Sequence, residues 1–272
     1  VSPAVTSPQQ PAARNADSTA RPGWRTPRFL HFVGHSITHL VREWSFLAFL
    51  IAMPVTMYLF FSGIYGDQLT SGGVAVSAVM MVTMATYGGL GAAMNAGATI
   101  QSERSSGWFR QLMITPLTAT EFVVAKICTA LAAMLPALAA VGIAGVFRGV
   151  RLPVATWFSI LGLLILALLP MVVLGLVIGL WFKQQTASAV TTLTMLALSM
   201  VGGLWFPLDM LPGVMQTVGK LLPSYWAGQI GIWPIIGGAF PWRGVLVLGI
   251  WVLVLSGLGA LGYGRAVRTS RR

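Results

Sequence analysis

The sequence predicts an all-α integral membrane protein with six transmembrane helices, and three observations lead to this class. Charged residues make up only 8% of the 272 residues and hydrophobic residues 56%, whereas a soluble domain carries about 25% charged residues. Long stretches of the chain contain no charge at all, and the remaining charges, with a net value of +11, are unevenly spaced. A soluble globular domain is therefore excluded, because its surface would need far more charge to stay hydrated.

Several functional classes are excluded by what the sequence lacks. A single cysteine, Cys128, rules out a disulfide framework and a multi-cysteine metal site. The basic residues form no cluster of the kind that binds nucleic acid, so no nucleic-acid partner is expected. There is no phosphate-binding loop and no Ser/His/Asp, HExxH or paired-carboxylate set. We expect no enzymatic activity from this chain alone and no cofactor bound by it.

Charge-free windows long enough to cross a bilayer, which takes about 20 apolar residues, predict the spans. Six such windows read as spanning helices. They lie near residues 44–65, 74–99, 122–147, 157–182, 186–206 and 244–264. A seventh window, 221–242, contains three prolines and four glycines, which are expected to break a continuous helix. Its aromatic residues suit the membrane interface, so we predict interfacial or re-entrant pieces before the last span, with a seventh span as the alternative.

The basic residues predict the orientation in the plasma membrane. With six spans and the N-terminus inside, thirteen Lys and Arg residues fall on the inner side and four on the outer side. The four outer residues are Arg148, Arg151, Lys220 and Arg243. We therefore predict a multi-pass protein with both termini in the cytoplasm. Residues 1–27, rich in Pro, Ala and Ser, read as a disordered cytoplasmic tail, and residues 265–272 as a basic cytoplasmic C-terminus.

An amphipathic helix is predicted over residues 28–43, lying on the inner membrane surface before the first span. Its histidines His31, His35 and His39 recur every four residues and so share one face, where they would anchor the helix in the headgroup region. A metal site is the alternative interpretation. We disfavour it because no carboxylate or cysteine completes a ligand set.

The segment 101–126, between the second and third predicted spans, holds the densest internal cluster of charge. Ser105, Ser106 and Gly107 are expected to end one helix, and Thr115 and Pro116 to end a short amphipathic helix over 108–114. Trp108 and Phe109 would anchor this short helix at the membrane interface, and Glu121 would lie in the first turn of the next span. A helix held in this way could transmit force from a cytoplasmic partner; a plain connector is the alternative.

This segment resembles the cytoplasmic segment of type-2 ABC exporter permeases of the daunorubicin-resistance and polysaccharide/lipid export class. The matching positions are Glu103, Arg104, Gly107, Leu112, Thr115, Pro116, Leu117, Glu121 and Lys126. A second similarity lies in 206–226, which the family places outside, before the last span. Its motif residues are Phe206, Pro207, Leu211, Pro212, Pro223 and Trp226. The resemblance covers about residues 28–265, and Arg148 and Arg151 depart from the charge pattern expected on the outer side.

The resemblance implies that 44–264 is the permease domain of an ATP-driven exporter of an amphiphile, such as a drug, an antibiotic or a lipid-like compound. It implies a dimer with a second permease subunit, identical or not, within membrane lipid. Two copies of a separate cytoplasmic ABC ATPase would supply ATP and Mg²⁺ chemistry. The residues expected to form the coupling contact are Glu103, Arg104, Gly107, Arg110, Thr115, Pro116 and Glu121.

Two other functions were weighed against export. A non-transporting membrane anchor or sensor subunit would need no ATPase. An ion- or proton-driven carrier is disfavoured, because no ionisable residue lies at the centre of a predicted span.

Overall fold

The computed structural model describes residues 44–70, 72–105 and 119–270. The predicted tail 1–27, the predicted helix 28–43 and the middle of the 101–126 segment lie outside the described residues. Within the described ranges the protein is all-helical, with one isolated β-bridge between Leu69 and Ala75 and no strand. The predicted all-α class is confirmed for this part of the chain.

The described residues form nine α-helices and one short 3₁₀ helix. The α-helices are α1 Trp44–Tyr65, α2 Val76–Ser105, α3 Ala119–Phe147, α4 Val154–Ala167, α5 Leu169–Trp181, α6 Gln184–Val201, α7 Gly213–Gly219, α8 Pro223–Ile236 and α9 Trp242–Ser270. The 3₁₀ helix is Leu208–Met210.

Four of the six predicted spans coincide with helical stretches that are long and apolar enough to cross a membrane. These are Val76–Asn95, Val124–Phe147, Val154–Trp181 and Trp242–Gly262. The other two predicted spans coincide with α1 and α6. In α1 the apolar stretch with described side chains is Leu50–Tyr65, and α6 begins with the polar residues Gln184, Gln185 and Thr186. The total of six spans stays a prediction.

The end predicted for the fifth span was wrong. We placed it at residue 206, whereas α6 ends at Val201. Gly202 follows as the C-cap, and Gly203 has a φ of 71°, in the left-handed region. The chain therefore turns at the Gly-Gly pair. Residues 204–206 become part of the loop that leads to the 3₁₀ helix.

The prediction that prolines and glycines interrupt 221–242 holds after Ile236, where the helix stops before two glycines, but not within 223–236, because α8 is one continuous helix. Pro223 lies in its first turn, where a missing N–H costs no intrahelical bond, and Pro234 lies near its end. Gly237, with a φ of 76°, follows as the C-cap. The 14 residues of α8 rise about 21 Å, less than the hydrocarbon thickness of about 30 Å. This helix is too short for a seventh span, and its interfacial or re-entrant placement stays a prediction.

A break at Leu168 separates α4 from α5. Pro170 causes it, because proline cannot donate the helical hydrogen bond and its ring clashes with the preceding turn. The sequence predicts kinks at Pro54, Pro136 and Pro170, which all lie inside predicted spans. The helix is interrupted beside Pro170, whereas α1 and α3 continue through Pro54 and Pro136. The two half-helices count together as one candidate span.

The helix α2 lies at the centre of the bundle. It packs against α1, α3, α4, α5, α6 and α8, and 78% of its Val76–Asn95 stretch is buried. Its contacts with α3 and with α5 are the most extensive. A Cβ added to Gly175 of α5 would lie only 2.5 Å from the carbonyl oxygen of Met94, so the two backbones touch at a position that only glycine allows. Gly175 therefore serves packing within the chain.

The connections at one end of the bundle are described, apart from residue 71. They are the loops 66–75, 148–153, 202–222 and 237–241, which we call the long-loop end. The Arg148 Nη2 atom donates a 2.6 Å hydrogen bond to the Ser62 carbonyl and joins the loop after α3 to the end of α1. The four basic residues predicted on the outer side all lie at this end, which we expected from the alternation of spans.

Candidate functional site

Three of the predicted coupling residues, Glu103, Arg104 and Glu121, have a described backbone, and it lies at the end of the bundle opposite the long-loop end. The helix α2 extends to Ser105, so the backbone of Glu103 and Arg104 lies in its last turn. The helix α3 begins at Ala119, which places Glu121 in its first turn. These two helices therefore carry the flanks of the segment. The remaining predicted residues lie outside the described residues. They are Gly107, Trp108, Phe109, Arg110, Thr115 and Pro116, together with His31, His35 and His39.

The two helices that flank the coupling segment pack against each other. Near the long-loop end, Gly145 of α3 faces Met81 of α2. Further along, a Cβ added to Gly88 would lie 3.4 Å from the Ala137 Cβ. A displacement of the segment between α2 and α3 would therefore act on a packed pair that includes the central helix.

The second predicted motif, 206–226, is fully described and forms a compact structure at the long-loop end. Pro207 precedes the 3₁₀ helix, Pro212 precedes α7, and Pro223 lies in the first turn of α8. A proline fixes φ near the helical value and needs no donor at such positions. The three motif prolines therefore mark the beginnings of three successive helices.

Hydrogen bonds stabilise this motif internally and attach it to α6. The Trp226 indole N–H donates to the Lys220 carbonyl at 2.8 Å, and the Gln216 amide donates to the Leu211 carbonyl at 2.9 Å. The Ser224 hydroxyl, fully buried, donates to the Leu198 carbonyl of α6 at 2.7 Å. Burial, followed by the nearby Asp209 carboxylate, raises the pKa of the Tyr225 phenol, so that side chain stays neutral over the physiological range.

Aromatic rings extend the motif toward α1 and α2. The Phe206 and Phe61 rings meet edge to face with centroids 5.8 Å apart, and Trp205 meets Tyr87 in the same way at 5.5 Å. The sequence analysis predicted Phe206 but missed Trp205 and Tyr87. No motif spacing connects these two residues, because 118 positions separate them (205 − 87). Only the packing of the loop onto α2 brings them together.

Within the described ranges, no group of three or more His, Cys, Asp or Glu residues lies close enough to hold a metal ion. The charged residues in the four candidate spans are Lys126 and Arg243, each within three residues of the end of its span. The centres of these spans are uncharged.

An all-helical bundle with four candidate spans, apolar outside and closely packed inside, defines a multi-pass membrane protein. The family of ABC-2 family transporter proteins matches residues 65–262, and the chain belongs to this family. It is also 27% identical over 212 residues to a Bacillus subtilis (strain 168) protein named "Putative transport permease YvfS". That alignment covers 77% of this chain and 86% of the relative. The chain is therefore a membrane transport permease subunit, of a family whose members generally work with an ATPase partner.

Proposed function

We propose that this chain is the permease subunit of an ATP-driven exporter that carries an amphiphilic compound, such as a drug, an antibiotic or a lipid-like molecule, out of the cell. Two copies of a cytoplasmic ABC ATPase bind ATP and Mg²⁺, and the chain dimerises with a second permease subunit. The ATPase contacts the 103–121 segment and the predicted 28–43 helix. Family membership and the bundle's uncharged span centres support this proposal.

The position of α2 is the observation that carries the coupling proposal. Its last turn holds Glu103 and Arg104, and it packs against most of the other described helices. A push on that turn is therefore transmitted to α3, α5 and α6 together, because a rigid helix moves as a unit in a close-packed interior. A peripheral helix at the same place would move alone.

The proposed orientation puts the long-loop end outside the plasma membrane and both termini inside. That end carries Arg148, Arg151, Lys220 and Arg243 and the two acidic residues Asp67 and Asp209, a net of +2 (four basic minus two acidic). The whole chain carries +11. Most of the excess positive charge thus belongs to the other side, as it does for cytoplasmic loops.

The test is ATP-dependent efflux in proteoliposomes that contain the full chain and its ATPase. We expect the double substitution Glu103→Ala and Arg104→Ala to lower efflux by at least about tenfold, the effect of losing roughly 1.4 kcal/mol of coupling. The control Arg243→Ala removes an arginine from the long-loop end and should leave efflux unchanged.

Cysteine labelling tests the orientation. A single cysteine is placed at position 151 or at position 268, in a Cys128→Ser background, and intact cells are treated with a membrane-impermeant thiol reagent. Only the cysteine at position 151 should react.

Wild-type efflux in the double variant, with the ATPase docked normally, would contradict the coupling proposal. Two further outcomes would assign another function. Activity that never depends on an ATPase would favour a membrane anchor or sensor subunit. Transport that survives ATP depletion and follows an imposed ion gradient would favour an ion-coupled carrier, which needs ionisable groups that the candidate spans lack at their centres.

A further inference from the structure

A groove on the side of the bundle is the feature that the proposed function leaves unused. It is a cavity of about 410 Å³ between α2, α3 and α4, within the usual size range of ligand pockets. Its floor is α2, where Met81, Val82 and Ala85 are buried. Its rims are exposed apolar side chains, such as Ile143 of α3 and Phe158 of α4.

The groove lies in one half of the membrane thickness. Along α3 it extends over the twelve residues from Leu135 to Val146, whose eleven steps rise about 16 Å. This is roughly half of the ~30 Å hydrocarbon core, or one leaflet, which is the space that a single lipid acyl chain occupies. Every lining residue is apolar, so the groove offers an acyl chain three protein walls and offers a polar solute nothing to bind.

The loop that joins α3 and α4, the two walls of the groove, brings positive charge to one end of it. This loop, residues 148–153, carries the exposed Arg151. Arg148 in the same loop is directed to the Ser62 carbonyl of α1. The helix α4 starts at Val154 with no acidic residue in its first turn, and its N-terminus adds partial positive charge. The loop that joins the two walls therefore carries positive charge at one end of an apolar slot.

We propose that this groove binds one phospholipid with an anionic headgroup, taken from the leaflet at the long-loop end. One acyl chain lies in the groove on α2, between α3 and α4, and the phosphate pairs with Arg151. The charge of this loop and the one-leaflet length of the slot both fit this occupant. The site depends only on the chain being in a membrane, so it stands or fails separately from the export proposal.

The test uses the full chain, extracted into detergent and analysed by native mass spectrometry after incubation with phosphatidylglycerol or phosphatidylcholine. We expect one retained lipid per chain, with phosphatidylglycerol preferred about fivefold, the effect of one arginine near an anionic headgroup. Ala139→Trp, at an exposed position lining the groove, should fill the slot and reduce retention at least about tenfold. Arg151→Gln should keep the lipid and abolish the headgroup preference.

Two matched variants serve as controls, and both should behave as wild type. Ala197→Trp adds the same ring to an exposed position of α6, and Arg243→Gln removes another arginine from the long-loop end. Equal losses in Ala139→Trp and Ala197→Trp would overturn the proposal. So would conversion of a dimer to a monomer by Ala139→Trp with the lipid still retained, since a second copy would then cover the groove.

A labelling experiment on the wild-type chain tests the proposal without any substitution, so its result does not depend on whether a variant folds. Phosphatidylglycerol with a photoreactive acyl chain should label peptides that contain 135–146 and 157–164 more strongly than the exposed face of α9. Uniform labelling of all exposed faces would mean ordinary lipid contact and would overturn the proposal. Glycerol phosphate without acyl chains should not compete, and competition by it would identify a simple anion site instead.

Discussion

The two helices α2 and α9 show how differently a membrane protein uses its spans. The Val76–Asn95 stretch of α2 has a mean hydropathy of 1.4 and is 78% buried, whereas the Trp242–Gly262 stretch of α9 has a mean hydropathy of 2.4 and is 17% buried. The more apolar helix is thus the more exposed one. In a bilayer the solvent is hydrocarbon, so apolar side chains face outward, and the interior is selected for small residues that pack closely.

The exposed stripe of α9 follows one face of the helix. Leu246, Ile250, Leu253 and Leu261, between 60% and 74% exposed, recur at helical spacing. Two indole N–H groups attach its other face to the bundle. Trp181 of α5 donates to the Leu258 carbonyl, and Trp251 of α9 donates to the Leu221 carbonyl, both at 3.0 Å. These polar bonds add to close glycine contacts, which α9 shares with α2: the buried Gly262 packs against Trp181 of α5.

Substituting a glycine should give the largest difference in stability between a variant at the α2–α5 contact and a variant of the exposed helix α9. Gly175→Leu would push its side chain into the Met94 backbone and force α2 and α5 apart, at a cost of about 3 kcal/mol or more. Gly257→Leu in α9 meets nothing within 4 Å and should be close to neutral. Thermal unfolding in detergent, followed by size-exclusion fluorescence, measures both. Equal melting temperatures for the two variants would contradict the comparison.

A smaller effect is expected from truncating a large side chain in each helix. Met94→Ala in α2 removes a fully buried side chain and leaves a cavity, and we expect a cost of about 2 kcal/mol, the lower end of the range for such truncations. Leu253→Ala in α9, where the side chain is 74% exposed, exchanges lipid contact for lipid contact and should cost less than about 0.5 kcal/mol. The same unfolding assay applies. A larger loss for Leu253→Ala would show that a partner covers α9.

The smallest effect concerns the attachment of α9. Trp181→Phe keeps the ring and removes the N–H that bonds the Leu258 carbonyl. We expect a loss of about 1 kcal/mol and faster hydrogen exchange in α9 than in α2. Trp242→Phe, at an exposed position of the same helix, provides the control. Unchanged exchange in Trp181→Phe would mean that apolar packing alone positions α9.

Much of the fold could be predicted from the sequence because the bilayer imposes it. Charge-free length predicted helices at all six places, within a few residues at most ends. Prolines predicted breaks less well: the helix breaks beside Pro170, but α1 and α3 continue through Pro54 and Pro136. The errors lie where local rules compete with packing. The prolines of α8 sit near its two ends, and the Gly202–Gly203 pair ended α6 earlier than the hydrophobic pattern suggested.

The residues of the candidate sites were likewise predicted only in part from the sequence. The prolines of the 206–226 motif were predicted, and each precedes or begins a helical turn in the structure. Trp205, Tyr87 and the Arg148–Ser62 bond were not predicted, because they join distant parts of the chain. The coupling residues Glu103, Arg104 and Glu121 stay predictions that rest on a resemblance, supported by the way α2 and α3 flank their segment.

By itself, the sequence determined that this protein is a helical membrane protein, where its helices lie, and where its charges gather. These properties depend on the transfer of each residue between water and hydrocarbon, which is a local quantity. Only the tertiary structure decided that α2 is central and α9 peripheral, and that α3 and α4 enclose an apolar groove next to the loop that carries Arg151. Hydropathy could not decide this, because lipid and protein interior are equally apolar, and only shape distinguishes one neighbour from the other.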